Sequence, residues 1–181
     1  MIMTVDELKK YINTEDEDTV LEARLLALEL LIRAYTNNNF QDRGYRRIAD
    51  IVGGMFLVEA LTPFDEGDTV QVSDSDYNNG LYTVKSADDA TFTVNEPVKD
   101  ERDVLVTKVT YPMDVKMGVV NLMRWELDNR EKVGVASETI SRHSVTYFDM
   151  GKDNTEMGYP VSLLGFLRPY KRARFGQGVR V

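Results

Sequence analysis

The chain has 181 residues, of which 43% are hydrophobic and 29% are charged, and this composition predicts one globular domain or one domain with a small insert. It contains no cysteine and only one histidine, which excludes disulfide frameworks and thiolate metal sites and nearly rules out a standard zinc site. The sequence contains no run of about 18 apolar residues, so no membrane span is predicted. The polar stretch "MIMTVDELKK" is not typical of a secretory signal.

The net charge of the chain is −8, but the charge is distributed unevenly along the sequence. Residues 168–181 carry a net charge of +5 and no acidic side chain, which leaves a net charge of −13 on the other residues. An acidic body argues against wrapping nucleic acid by neutralising phosphates, whereas a basic end is suited to an acidic partner. The asymmetry therefore favours a protein partner over nucleic acid.

Two helices are predicted at the start of the chain. Thr4 and Glu7 form a capping-box pattern, so that a helix is expected to begin at Val5. A longer helix follows in "VLEARLLALELLIRAY", and it carries two apolar stripes at helical spacing. The first stripe consists of Leu21, Leu25, Leu28, Ile32 and Tyr35. The second stripe consists of Val20, Ala23, Ala27, Leu30, Leu31 and Ala34.

Two apolar stripes on one helix predict that the helix is covered on more than one side. One interpretation is a core helix within a single chain. The other is that one stripe packs on another subunit, and the residues taken as the candidate subunit interface are Leu21, Leu25, Leu28 and Ile32.

A β-rich region is predicted in the middle of the chain. Before it, "FQDRGYRR" is interpreted as a polar bend, and the Gly53-Gly54 pair as a bulge or a close backbone approach. Four short alternating runs follow between Pro63 and Pro112, with turn signals such as Asn79-Gly80. They predict a small β-barrel or β-sheet. Because helical sequence flanks it on both sides, we interpret it as an insert whose ends lie close together.

Helical periodicity returns over 112–134 and predicts a third long helix, in which Trp125 is interpreted as a packing residue. Pro160 is expected to open a short amphipathic helix that Pro169 limits. Beyond it, the basic and glycine-rich residues 169–181 predict an extended tail that does not fold alone.

No pattern in the sequence predicts catalysis. His143 lies between Ser141 and Ser144, but neighbouring residues on an extended chain point to opposite faces. The stretch "DSDYNNG" lacks the terminal glutamate of the EF-hand calcium loop. Carboxylate pairs suited to acid–base chemistry arise by chance among 30 acidic residues. We therefore predict no enzyme, no catalytic residue, no metal site and no cofactor.

Three segments carry a resemblance to a known family. They are P-x-D-V-K…L-x-x-W-x-L-x-N-R-E at 112–131, S-E-T-I-S-R-H-S-V-T-Y at 137–147 and Y-P-V-S-L-L-x-x-L-R-P-Y-K-R at 159–172. In this order, behind the two N-terminal helices, they resemble the head–tail connector (adaptor) proteins of long-tailed double-stranded DNA bacteriophages. The β insert departs from the family, because compact members carry a short connection there.

The resemblance implies a ring, commonly of twelve copies, beneath the portal protein at the capsid vertex. Such a ring extends the DNA channel, and packaged double-stranded DNA passes through it without sequence-specific binding. The ring joins the capsid to the tail-side stopper, or head-completion, protein. The implied location is the head–tail interface of the virion, with the host cytoplasm during assembly, and no membrane is involved. The segment implied to reach the portal comprises Arg168, Tyr170, Lys171, Arg172, Arg174 and Phe175.

The expected fold class is α+β: a small antiparallel α-helical bundle with an inserted small β-barrel or β-sheet subdomain and an extended C-terminal tail. The bundle is assigned to 1–62 and 111–168, the β subdomain to 63–110 and the tail to 169–181. The expected function is that of a structural connector. The alternatives are a DNA-binding or packaging accessory protein that uses the basic tail, and a hydrolase that uses a carboxylate pair.

Overall fold

The computed structural model describes residues 1–129, 137–140, 143–146 and 154–173, and for 137–140 and 143–146 it describes the backbone alone. The fold mixes helices with a closed barrel of six antiparallel strands. The chain divides into two compact units. The barrel unit comprises Met1–Ile2 and Asn38–Tyr111, and the helical unit comprises Met3–Asn37 and Pro112–Val181.

The helical unit begins with α1 (Val5–Lys9) and α2 (Asp18–Thr36). The predicted capping box is present: the Thr4 hydroxyl accepts a hydrogen bond from the Glu7 N–H at 3.1 Å, and the Thr4 N–H donates to Glu7 Oε2 at 3.2 Å. α2 ends at Asn37, whose left-handed backbone has a φ of 49°. Asparagine tolerates this conformation, which explains why the helix stops there.

Six strands form the barrel: β1 (Gln41–Val52), β2 (Met55–Val58), β3 (Thr69–Ser73), β4 (Gly80–Ala87), β5 (Thr91–Val94) and β6 (Glu101–Val109). Their order around the barrel is β1-β2-β5-β4-β3-β6. β1 closes the barrel because it pairs with both β2 and β6. Closure gives each of these six strands a neighbour on both sides, so the barrel does not offer an open edge to another chain.

The start predicted for the β subdomain, residue 63, is wrong. Residues 41–58 form the β1–β2 hairpin, where the sequence pattern predicts a polar bend and an apolar segment. Gly53 and Gly54 make the turn of this hairpin, with φ values of 59° and 82°. Two-residue hairpin turns of this kind require positive φ at both positions, and glycine adopts such values without strain.

The barrel interior is apolar. The rings of Phe56 and Phe92 stack with centroids 4.5 Å apart, and Phe64 meets Phe92 edge-on at 5.1 Å. The remaining buried side chains of this cluster are Ala49, Ile51, Val58, Val70, Val72, Val84, Val94, Val104 and Val106. Burial of a large aliphatic or aromatic side chain contributes about 1.5–3 kcal/mol, so this cluster is the main source of stability in the barrel.

The entry and exit of the barrel are neighbours, as the sequence predicts for an insert. The Thr110 N–H donates a hydrogen bond to the Phe40 carbonyl at 2.9 Å. The rings of Phe40 and Tyr111 also lie 4.9 Å apart between centroids. These contacts hold together the two points at which the chain enters and leaves the barrel.

The helical unit continues with α3 (Met113–Asn129), and its later described residues form a 3₁₀ helix (Val161–Tyr170) that contains Pro169. Trp125 on α3 is a packing residue, as predicted, with its ring 5.5 Å from that of Tyr159. The buried face of α3 consists of Val115, Gly118, Val119, Val120, Leu122 and Met123.

Two short hairpins lie between α3 and the 3₁₀ helix in the chain. They are β7 (Ser137–Ile140) with β8 (His143–Thr146), and β9 (Thr155–Glu156) with β10 (Tyr159–Pro160). Within the described ranges, no helix is long and apolar enough to cross a membrane.

Candidate assembly surfaces

One face of α2 is apolar and exposed. Its residues are Val20, Ala23, Ala27, Leu30 and Ala34, which we call the α2 stripe. Val20 is 39% exposed and Leu30 is 53% exposed, and the three alanines are exposed as well. The spacing alternates between three and four residues, as in the seam of a coiled coil. The stripe therefore offers a surface suited to packing against another apolar element.

The four residues predicted as the subunit interface are not part of this exposed face. Leu21, Leu25, Leu28 and Ile32 are buried in the core of the folded chain. A second copy cannot contact them in this fold, so the prediction is corrected. The larger leucine and isoleucine side chains bury more apolar area than alanine does, so the stripe that carries them is the one that turns inward.

The basic segment contacts the C-terminal end of α2. The Lys171 ammonium lies 3.7 Å from the centroid of the Tyr35 ring. The Arg172 N–H donates to the Thr36 carbonyl at 2.8 Å, and the Asn37 amide donates to the Ala173 carbonyl at 3.1 Å. Cations near the last carbonyls of a helix also interact favourably with its dipole. We call residues 171–173 the basic clamp.

Tyr170 adds a contact with α3. Its hydroxyl donates to Asp114, with both carboxylate oxygens at 2.8 Å. This hydrogen bond is the largest cause of the raised pKa of Tyr170, and partial burial and the Asp114 charge add to it. The first residues of the predicted tail are therefore attached to the helical unit rather than extended away from it.

The six residues predicted to bind the portal fall into three groups. Tyr170 and Lys171 are occupied by the contacts just described. Arg168 and Arg172 have exposed side chains, although the backbone of Arg172 is bonded to α2. Arg174 and Phe175 lie outside the described residues. The prediction of an extended tail from 169 onward is thus corrected for 170–173, which contact the helical unit.

A second exposed apolar face lies on the outside of the β1–β2 hairpin. Ile48 is 60% exposed, Val52 58%, Met55 41% and Leu57 42%, and we call these four residues the barrel patch. The register places Val52 opposite Met55, and Asp50 opposite Leu57. Thr93 and Thr91 are the partners of Met55 and Leu57 on the next strand, so the apolar surface ends there.

Three acidic residues help to line a groove at the barrel patch. The groove has a volume of about 180 Å³, and Ile48, Leu57, Asp50, Glu59 and Asp103 are among its lining residues. The Asp103 N–H donates to Asp50 Oδ1 at 2.9 Å, which holds the two acidic residues side by side. The lining of the groove therefore combines apolar and carboxylate side chains. The sequence pattern does not predict this surface, although apolar residues directly beside the buried Ile51 and Phe56 are a signal that could have found it.

Polar networks elsewhere serve the architecture. Arg24 of α2 lies 3.3 Å from Asp16 and 3.8 Å from Glu126 of α3. Tyr159 donates to the same Glu126 at 2.8 Å. Burial, reinforced by this hydrogen bond, raises the pKa of Tyr159 well above its ordinary value. The network joins α2, α3 and β10, and these residues do not form a base–nucleophile pair.

The side chain of Glu101 accepts hydrogen bonds from the stretch "DSDYNNG". Ser75 Oγ donates to Glu101 at 2.5 Å, and the Asp76 N–H donates to it at 2.6 Å. The hydrogen bond from Ser75 is the first cause of the lowered pKa of Glu101. In the part of the chain that the structure describes, no group of three histidine, cysteine or acidic residues is arranged to hold a metal ion.

The histidine segment is a β-hairpin in its described residues. His143 lies on β8 and pairs with Ile140 on β7. Ser144 lies on the same strand as His143, and Ser141 lies outside the described residues. Comparison of the whole chain with protein-family models finds no match, and comparison with curated proteins finds none either.

Proposed function

We propose that the chain is a structural head–tail connector protein of a long-tailed double-stranded DNA bacteriophage. It assembles as a ring of twelve copies, the common size in that family, beneath the portal, extends the DNA channel and joins the capsid to the tail-side stopper protein. The α2 stripe is the observation that carries this proposal. A helix with one face in the core and another apolar face in solvent is suited to a subunit that buries surface against its own copies.

The helical elements support the connector fold. In the proposal, α1, α2, α3 and the 3₁₀ helix make up the small antiparallel bundle of a connector. Arg24 ties α2 to α3 through Glu126, and Tyr170 ties the 3₁₀ helix to α3 through Asp114. The barrel is the addition that distinguishes this subunit from compact connectors.

The basic clamp fixes the point on the helical unit from which the proposed portal-binding segment starts. Because 171–173 are bonded to the end of α2, the residues that follow begin at a fixed point of the subunit. We therefore assign the main portal contact to Arg174 and Phe175, and the exposed Arg168 and Arg172 are further candidates. Arginine and aromatic side chains are the usual anchors of such interfaces.

The charge distribution agrees with a DNA channel. Outside 168–181 the net charge is −13, and a negative wall lets DNA slide because it does not grip phosphates. In the virion the proposed location is the neck. Stopper binding and DNA passage both follow from that position in the ring.

Electron microscopy of the protein mixed with portal tests the proposal. We expect ring density beneath the portal for the natural chain and loss of that density for the double variant Ala27→Glu, Leu30→Glu. Leu61→Glu is the matched control, since Leu61 is 70% exposed and lies outside both apolar faces. The connector proposal would be contradicted if the natural chain gave no density beneath the portal. Salt-dependent binding of the same chain to duplex DNA would then favour the packaging accessory protein.

A further inference from the structure

A closed ring requires two different faces on each subunit, because every copy contacts one neighbour through one face and the other neighbour through a second. Two exposed apolar faces stand out in the described residues, the α2 stripe on the helical unit and the barrel patch on the barrel unit. We propose that the barrel patch of one copy receives the α2 stripe of the next copy. This pairing rests on the proposed ring and names the contact that builds it.

The dimensions of the two faces are compatible. The α2 stripe, from Val20 to Ala34, spans roughly 21 Å at about 1.5 Å per residue. The barrel patch, from Ile48 to Val52, runs roughly 13 Å along β1 at about 3.3 Å per residue. The patch is therefore long enough to cover about two turns of the stripe. Alanine at positions 23 and 27 lets the helix approach the sheet closely, and Leu30 is the side chain large enough to enter the groove.

Charge complementarity sets the direction of the helix on the barrel. Asp50, Glu59 and Asp103 are among the residues that line the groove. At the C-terminal end of α2 lies the exposed Lys171, whose ammonium is 3.7 Å from the centroid of the Tyr35 ring. The pairing places this cation toward the carboxylates of the neighbouring barrel, where opposite charges favour the correct register.

The alternatives in which a face meets its own copy are disfavoured. Two barrel patches face to face would bring together the carboxylates that line the groove of each copy. Like charges across an interface are repulsive. Two α2 stripes face to face would form a symmetric dimer that uses up the stripe of each copy and does not extend into a ring.

Disulfide trapping tests the pairing directly, because the natural chain has no cysteine. One preparation carries Ala27→Cys, a second carries Leu57→Cys, and a third carries Tyr77→Cys as a control, since Tyr77 is 66% exposed on the barrel but outside the patch. The preparations are mixed in pairs, bound to portal and oxidised. We expect the Ala27–Leu57 product to exceed the Ala27–Tyr77 product several-fold.

The outcomes separate this inference from the proposed function, since portal binding is scored first on the cysteine-free chain. The pairing is overturned, and the connector proposal stands, if the chain binds portal but the disulfide products do not favour Ala27–Leu57. Such results are equal yields of the Ala27–Leu57 and Ala27–Tyr77 products, no product, or mainly Ala27–Ala27 product. Selective Ala27–Leu57 product in free solution, without portal binding, supports the pairing and counts against the connector. A chain with both Ala27→Cys and Leu57→Cys should give a ladder of linked copies, and a single linked dimer would overturn the pairing.

Discussion

Gly118 is a residue of α3 that packs against the ring of Phe166 on the 3₁₀ helix. A Cβ at this position would lie 2.4 Å from two ring atoms of Phe166, well inside the contact distance of two carbons. Glycine within a helix costs about 1 kcal/mol relative to alanine, so packing against the ring explains its presence. Helical periodicity predicts α3 but not this contact, because the partner lies far along the chain.

We expect Gly118→Ala to lower the free energy of unfolding by roughly 1–2 kcal/mol, because an overpacking cost of about 1–3 kcal/mol exceeds the gain in helix propensity. Urea denaturation followed by circular dichroism measures the change. In a Phe166→Ala background the same substitution should be neutral or stabilising, since the ring is absent. An equal destabilisation in both backgrounds would show that Phe166 is not the cause.

Tyr159 and Glu126 give a pH-dependent contribution to stability. Burial and the hydrogen bond to Glu126 raise the pKa of Tyr159 above its ordinary value of 10.0. A raised pKa means that the fold favours the protonated hydroxyl. The contribution is therefore complete below pH 10 and is lost as the pH rises through the higher pKa of the folded state.

We expect Tyr159→Phe to lower the free energy of unfolding by about 1–2 kcal/mol at neutral pH, because a hydrogen bond to a charged acceptor is removed. Denaturation of both chains between about pH 8 and pH 11, checked for reversibility, measures the difference. The difference should shrink as the pH rises above about 10, where the unfolded chain begins to lose the phenolic proton that the fold retains. A difference that grows with pH would contradict the assignment.

At the scale of the element, the β1–β2 hairpin shows why part of the fold escapes sequence-based prediction. A strand with one buried and one solvated face alternates between apolar and polar residues. Ile51 and Phe56 face the interior while Val52 and Met55 are exposed, so both faces are apolar and the alternation disappears. The exposed apolar residues that remove the alternation are also residues of the barrel patch, the candidate assembly surface.

The turn of this hairpin depends on glycine. We expect Gly54→Ala to lower the stability of the barrel by about 1–2 kcal/mol, because alanine at a positive φ is strained. The φ of Gly54 is 82°, whereas Gly165 has no positive φ and a Cβ added there would meet no atom within 4 Å, so Gly165→Ala is the matched control. Thermal denaturation compares the two variants. Equal effects would contradict a turn-specific role.

α2 shows the opposite case, an element whose existence is predicted correctly and whose orientation is not. The helical spacing reveals both apolar stripes, but spacing alone does not state which stripe faces the core. The stripe with four large aliphatic residues is buried, and the alanine-rich stripe is exposed. Side-chain volume is the available signal, and it favours burial of the larger set.

At the scale of the molecule, composition predicts the contrast between an acidic body and a basic end, but it does not predict the position of the basic clamp. The contacts of the clamp are hydrogen bonds to backbone groups and a cation–π contact, none of which has a sequence pattern. The basic and glycine-rich sequence after Pro169 predicts a tail that starts at 169. The bonded residues 170–173 move the start of any independent segment to 174.

Two truncations separate attachment from portal binding. A chain ending at Ala173 should unfold at the same denaturant concentration as the natural chain, because the contacts of Tyr170 and of the clamp are kept. A chain ending at Arg168 should lose roughly 2–5 kcal/mol of stability, since three hydrogen bonds are lost at about 0.5–1.5 kcal/mol each, and the cation–π contact adds about 0.5–1 kcal/mol.

Both truncated chains are expected to lose portal binding, because Arg174 and Phe175 are absent from each. Unfolding curves and co-sedimentation with portal measure the two properties independently. Normal portal binding by the chain ending at Ala173 would remove these two residues from the proposed contact.

The hydrogen bond between Thr110 and the Phe40 carbonyl has a consequence for how this chain can be engineered. An inserted module whose two ends are in contact can be removed or exchanged, because a short linker can join those ends without moving the flanking helices. A chain in which a few glycine and serine residues replace 41–109 would report whether the remaining helices fold unaided.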